Sequence, residues 1–155
     1  MSFVVSGLPV ETFRPLFGLT DAALAERGAL RVTAGTDGRY PCRITLEDAR
    51  PGETLLLVNH ESHGAPTPYR CAYAIYVSES ADATRQLTDA LPPVLRGRPI
   101  ALRVFDEDGM LIAAELALQD NVREAIERHF DDPAARYIHA HNAAAGCYAA
   151  RIDRA

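Results

Sequence analysis

Ile100–Leu118 reads IALRVFDEDGMLIAAELAL. Ile100, Leu102 and Val104 alternate with Ala101, Arg103 and Phe105, the period of two that gives a strand one apolar face. Asp106, Glu107, Asp108 and Gly109 supply turn chemistry, and the apolar run Met110–Leu118 follows at once. Two such runs joined so tightly predict a hairpin, hence antiparallel pairing, because a parallel neighbour would need a crossover of a dozen or more residues. Beyond the hairpin the period changes. Val122, Ala125, Ile126, His129 and Phe130 share one helical face, with Arg123/Glu127 and Glu124/Arg128 at i,i+4 outside it. Asn121 stands at the N-cap position, and Asp131, Asp132 and Pro133 end the helix. A hairpin followed by an amphipathic helix predicts a sheet with a helix on one face.

The rest of the chain extends this pattern. Val10–Phe17 places Phe13, Leu16 and Phe17 on one side of a short helix. Thr20 is an N-cap for a second helix over Asp21–Arg27, with Gly28 as its stop and Leu19 and Leu24 as a hydrophobic staple. Leu30 and Val32 alternate, as do Cys42, Ile44 and Leu46, and each set predicts a half-buried strand. Leu55–Val58 is a continuous apolar run, as expected of a central strand covered on both faces. His60–Pro68 reads as a polar loop, Cys71, Tyr73, Ile75 and Val77 as another alternating strand, and Ser80–Leu91 as helical in composition until Pro92 and Pro93. Tyr137–His141 and Gly146–Ile152 are the last strand-like pieces. About eight strands and a few short helices, without strict βαβ alternation, predict an α+β fold: a mostly antiparallel or mixed, curled β-sheet with two to four short helices packed on it. No linker or repeat divides residues 1–155, so a single domain is expected.

Composition bounds function less sharply. The chain has 155 residues, with 16 basic against 21 acidic side chains and a net charge of -5, which argues against nucleic acid or an anionic membrane as the main partner. No GxGxxG or GxxxxGK[ST] follows a strand, so dinucleotide and P-loop chemistry have no support. Met1–Val10 lacks the basic start of a signal peptide, and the densest apolar window, Met110–Leu118, is interrupted by Glu115. The three cysteines, Cys42, Cys71 and Cys147, are odd in number and widely spaced, which fits neither a disulfide scaffold nor a CxxC zinc site. A reduced, cytoplasmic setting is the expectation. The partners left open are a small anionic ligand and a second copy of the chain as a homodimer.

The densest polar constellation lies near the C-terminus: Tyr137, His139, His141, Asn142, Cys147 and Arg151. In a strand Tyr137, His139 and His141 project to one face. Cys147 with a histidine and Asn142 has the composition of a thiolate nucleophile, the imidazole shuttling a proton and the amide orienting the ring. The competing reading makes Cys147 a small buried residue beside Ala149, and makes Cys42 part of the core with Ile44 and Leu46. His139 and His141 are also a candidate metal pair, although zinc requires a third protein ligand, for which His60, His63, Cys147 or a carboxylate is available. All 16 cations are arginine, so an anion site here would use planar, bidentate guanidinium groups. Arg103 on the hairpin strand, Tyr69 and Arg70 after Pro68, and Arg151 are the candidate ligand-binding residues, and Arg96 and Arg98 cluster before Arg103. Ion pairing with the many carboxylates is the alternative. His60, Glu61, Ser62 and His63 form a third cluster at the mouth of the loop. The leading expectation is therefore a protein that binds a small anion, or a small enzyme, with a Cys/His/Arg pocket near the C-terminal strands. A metal site on His139/His141 and a non-catalytic interaction module are the alternatives.

Tyr40, Pro41, Cys42 and Arg43, then Asp48 and Pro51–Glu53 before the leucine run, Pro68–Arg70, His141–Ala143 and Gly146–Arg151 together resemble an uncharacterised bacterial family, number twelve hundred and three in the domain-of-unknown-function series. The resemblance covers nearly the whole chain, and its C-terminal block is the most specific part. It implies a bacterial, single-domain protein and draws attention to Cys42, Arg70, Asn142, Cys147 and Arg151, but it supplies no activity, substrate or cofactor.

Overall fold

The computed structural model describes residues 1–118 and 121–155. In chain order they form β1 (Phe3–Ser6), α1 (Val10–Phe13), α2 (Asp21–Glu26), β2 (Leu30–Thr33), β3 (Thr54–His63), β4 (Cys71–Ser78), β5 (Gln86–Thr88), β6 (Ile100–Phe105), β7 (Leu111–Ala117), α3 (Val122–Phe130), β8 (Tyr137–Asn142) and β9 (Tyr148–Arg154). The strands build two antiparallel sheets, one of six strands ordered β5-β1-β9-β8-β6-β7 and one of three ordered β2-β3-β4. The fold is α+β, and no helix among the described residues is long and apolar enough to cross a membrane.

The Ile100–Leu118 hairpin forms as its alternation requires, with Ile100 opposite Ala117 and Arg103 opposite Ala114. Ile100, Leu102 and Val104 turn inward, where α3 covers them with Val122, Ala125, Ile126 and Phe130, all fully buried. Each large apolar side chain in that layer is worth about 1.5–3 kcal/mol of removal from water. A second core lies between the small sheet and the N-terminal helices and includes Phe13, Leu24, Leu56, Val58, Ile75, Val77 and Tyr148. Thr20 caps α2 by accepting from the Ala23 amide.

Three local expectations are corrected. Cys42–Leu46 is not a strand: the Leu46 amide donates back to the Cys42 carbonyl, and Leu46 adopts a φ of 59°. The alternation there does not sort an inner from an outer face, because Cys42, Arg43, Ile44 and Leu46 are all buried. His60–His63 continues β3 rather than opening a loop, since its backbone pairs with Cys71–Tyr73 of β4. Ser80–Leu91 contains no helix; Gln86–Thr88 adds β5 to the edge beyond β1. At the other boundary, Asn121 makes no side-chain cap on α3.

The turn at 42–46 docks because Gly7 lacks a side chain. A Cβ there would lie 2.1 Å from the Ile44 carbonyl oxygen, while the neighbouring Leu8 amide donates to the Arg43 carbonyl at 2.7 Å. The backbone of Arg43 is thus clamped between the end of β1 and β4, whose Tyr76 carbonyl accepts from the Arg43 amide at 2.9 Å.

The face of the large sheet opposite α3 is polar. Tyr137, His139 and His141 project from β8 toward β3 and β4, where His63 stacks on Phe105 at 4.2 Å between ring centroids and meets His139 edge-on at 5.4 Å. Tyr73 lies edge-on to His141 at 5.1 Å. His63, His139 and His141 are buried. Loss of hydration pushes His139 down to about 3 and His141 down to about 4, and also lowers His63. Arg151 and Arg103 add repulsion at His139, and the bond to the Gly146 carbonyl partly offsets burial at His141.

Two outcomes follow from this packing. An unfolded imidazole binds its proton near 6.5, so below that pH the unfolded chain holds more protons than the folded one and stability falls. The contribution is complete above about pH 7; by about pH 5 His139 and His141 together withdraw on the order of 4 kcal/mol. Urea unfolding midpoints measured between those limits are expected to drop steeply, and His139→Phe to flatten the slope; an unchanged slope refutes the assignment. Gly7→Ala, which must push the 42–46 turn away, is expected to cost about 1–3 kcal/mol in the same assay.

Candidate functional site

The sequence-predicted residues divide into two adjacent groups. The first is the histidine layer between the sheets. His63 Nε2 and the Tyr137 hydroxyl lie 2.8 Å apart, Arg103 Nη1 donates to the Tyr73 hydroxyl at 2.8 Å, and Arg151 lies over the Tyr137 ring at 4.0 Å while its guanidinium forks onto Asp153. Arg103 and Arg151 therefore have partners within the protein. His139 and His141 share the face that the alternation predicts, with ring centroids 6.4 Å apart, but among the described residues no three His, Cys, Asp or Glu side chains are grouped to hold a metal ion. The third ligand that zinc needs is thus not supplied by this cluster.

The second group surrounds Cys147, on the loop between β8 and β9. Gly146, with a φ of 75°, reverses the chain there; its amide donates to the Asn142 carbonyl at 2.8 Å, and the Asn142 amide donates to the Cys147 carbonyl at 2.9 Å. A bulge between Ala140 and His141 bends the end of the hairpin. His141 Nδ1 lies 3.0 Å from the Gly146 carbonyl, an acceptor, so Nδ1 carries the proton and the ring pins the loop. No hydrogen bond joins either His139 or His141 to the Cys147 sulfur.

The sulfur instead receives two N–H donors. Asn142 Nδ2 lies 3.5 Å from Sγ, and Arg43 Nη2 lies 3.4 Å from it. Arg43 is only 1% exposed, and its Nε and Nη1 have no hydrogen-bond partner among the described residues. Burial lowers its affinity for a proton, Cys147 raises it, and the Arg98 charge nearby lowers it further. No carboxylate pairs with Arg43 among the described ion pairs. Sequence reading missed Arg43 because it stood on the supposed outer face of a strand, between Cys42 and Ile44.

Beside this corner, Arg39, Pro41, Arg98, Pro99, Asn142 and Ala143–Ala145 line a cleft of about 260 Å³. Arg98 Nη2 donates to Asp48 Oδ2 at 2.5 Å, leaving Arg98 Nε and Asp48 Oδ1 buried without partners. Arg39 is exposed and belongs to none of the described ion pairs. Asn142 joins the two features, lining the cleft and donating to Cys147.

The remaining candidates lie elsewhere. Arg70 is exposed and pairs with Glu61 at 2.5 Å, and Tyr69 is an exposed side chain on the same loop. His60 packs against Phe13. Cys42 is buried, its sulfur accepting from the Ser78 amide at 3.3 Å, whereas Cys71 and Cys147 are both half-buried, and all three thiols are free.

No curated protein matches the chain, and neither does any solved structure. The sequence profile of one family matches residues 39–154, a span that begins at Arg39 and contains Arg43, Arg98, Asn142 and Cys147 but not the N-terminal strand and helices. The chain belongs to that family, described as Protein of unknown function (DUF1203).

Proposed function

We propose that the protein binds a small anion in the cleft beside the β8–β9 loop, through Arg39, Arg98 and Asn142, with Arg43 and Cys147 behind it. The observation that supports this is Arg43: a buried guanidinium with two idle donor nitrogens, no carboxylate, and a second guanidinium, Arg98, close enough to repel it. Like charges gathered in a poorly hydrated corner are stabilised by an anion, and guanidinium forks match carboxylate and phosphate geometry. The alanines Ala143–Ala145 on the same wall suit an apolar body attached to the anionic group. Arg70, Arg103 and Arg151 are left out of the site because none of them lines the cleft.

A non-catalytic interface is the second reading, and it rests on β7. This strand is the edge of the large sheet, and Ile112, Leu116 and, just beyond it, Leu118 are exposed. An open edge carrying apolar side chains is suited to pairing with β7 of a second copy.

Calorimetric titration with inorganic phosphate and with malonate at low ionic strength tests the first reading. Saturable binding that weakens with added salt is expected, and Arg39→Gln is expected to reduce affinity about tenfold, the value of one charge-assisted hydrogen bond. Absence of saturable binding for both anions removes the reading. For the interface, light scattering is expected to show a dimer that Leu116→Glu dissociates, and a monomer at all concentrations removes it.

A further inference from the structure

We infer that Cys147 undergoes thiol–disulfide exchange with a small anionic disulfide held in the cleft, so that the site carries a mixed disulfide. This inference rests on the anion-binding reading and names the chemistry of its ligand. Two observations at the sulfur point to it independently of the cleft. Sγ receives N–H donors from both Arg43 and Asn142, and among the described residues no acceptor for a thiol proton lies within hydrogen-bond distance of it. Both donors fix the sulfur in place, and the buried Arg43, which no carboxylate pairs with among the described ion pairs, lies against it.

Cys71 is the internal reference. It is half-buried as well, but among the described residues its sulfur faces only the Ser62 hydroxyl at 4.0 Å, and the nearest arginine in sequence, Arg70, is paired with Glu61. Any difference in reactivity between the two thiols therefore reports the surroundings of Cys147 rather than exposure alone.

The exchange balances without a further co-reactant. The Cys147 thiol gives its proton to solvent, its sulfur attacks one sulfur of the incoming disulfide, a bond forms between them, and the original S–S bond breaks. The departing half leaves with the electron pair as a thiolate and takes a proton from solvent; Cys147 is oxidised and the released thiol is reduced. Arg39 and Arg98 hold the ligand's carboxylates during attack. Arg43 and Asn142 hold the attacking sulfur in place. The histidines are not needed as bases, which agrees with the absence of a bond from His139 or His141 to Sγ.

The full chain is incubated at neutral pH with glutathione disulfide, which is anionic, and separately with cystamine, which is cationic, and adducts are assigned by peptide mass. Glutathione disulfide is expected to modify Cys147 about tenfold faster than Cys71, with a rate that falls as salt is added. Cystamine is expected to lose that preference for Cys147. Arg43→Met is expected to abolish the preference and Arg43→Lys to restore part of it; if Arg43→Met does not fold, the comparison of the two thiols and the two probes in the natural chain still decides. Equal or slower modification of Cys147 overturns the inference, and equal selectivity with cystamine overturns its anionic class. The natural chain, kept reduced and titrated with inorganic phosphate, separates the failures. Phosphate binding without selective exchange sinks the thiol step and spares the anion reading; no phosphate binding sinks the anion reading and the anionic class of the disulfide with it.

Discussion

A guanidinium removed from water loses several kcal/mol of hydration that only fixed partners can return. Arg43 is in that position, and its placement organises this end of the molecule. Its amide and carbonyl are held by Tyr76 and Leu8, its side chain reaches the Cys147 sulfur, and so one residue joins the end of β1, the small sheet and the β8–β9 loop. The sequence separation between Arg43 and Cys147 is 104 residues, so the contact exists only once both sheets are assembled. Gly7 makes the approach sterically feasible, and Leu46 accepts a left-handed backbone at the far side of the same turn. Conformations of that kind cost of order 1–3 kcal/mol and persist where surrounding contacts over-determine them.

The two sheets meet across a layer that is aromatic but not apolar. His63, His139 and His141 pack with Phe105, Tyr73, Tyr137 and Tyr148 as flat rings, mostly in tilted or edge-on pairs. Such pairs are worth about 0.5–1.5 kcal/mol beyond area burial, but only while the imidazoles remain neutral. Arginines on both sides of the layer reinforce neutrality, since Arg103 and Arg151 repel a proton on His139, and Arg103 and Arg43 repel one on His141. The histidines thus act as packing groups. The hydrogen bond from His141 to Gly146 and the packing of Tyr148 against His139 and His141 tie this layer to the thiol loop.

How much of this was legible depends on which physical rule wrote each segment. The Ile100–Leu118 hairpin, α2 and α3 obey local rules of period, turn chemistry and punctuation, and their sequences state them. The shared face of Tyr137, His139 and His141 follows from strand geometry alone. Cys42–Leu46 imitates a strand because its alternating residues are buried, yet Arg43 between them is buried too, by long-range contacts that no local period encodes. Ser80–Leu91 has helical composition, but the open edge of β1 recruits Gln86–Thr88 as a strand, a tertiary demand that overrides propensity. His60–His63 looks like a polar loop because its outward positions carry polar side chains, although β4 pairs with its backbone. That Asn142 and Cys147 lie close together was readable; that Arg43, and not a histidine, attends the sulfur required three dimensions.

The acidic composition and an anion site are compatible because they act over different distances. A net charge of -5 spread over the surface is screened within about 8–10 Å at physiological ionic strength, whereas the Arg43 and Arg98 groups lie in or near surroundings that water does not screen as well. Arg98 is already balanced by Asp48, which leaves the uncompensated cationic charge of the corner with Arg43 and the exposed Arg39. One is inner and buried, the other outer and exposed. An anion entering the cleft therefore meets a long-range field that is weakly unfavourable and a short-range pair that is favourable. Under the anion-binding proposal, salt dependence belongs to the exposed Arg39 and the binding energy to the buried corner.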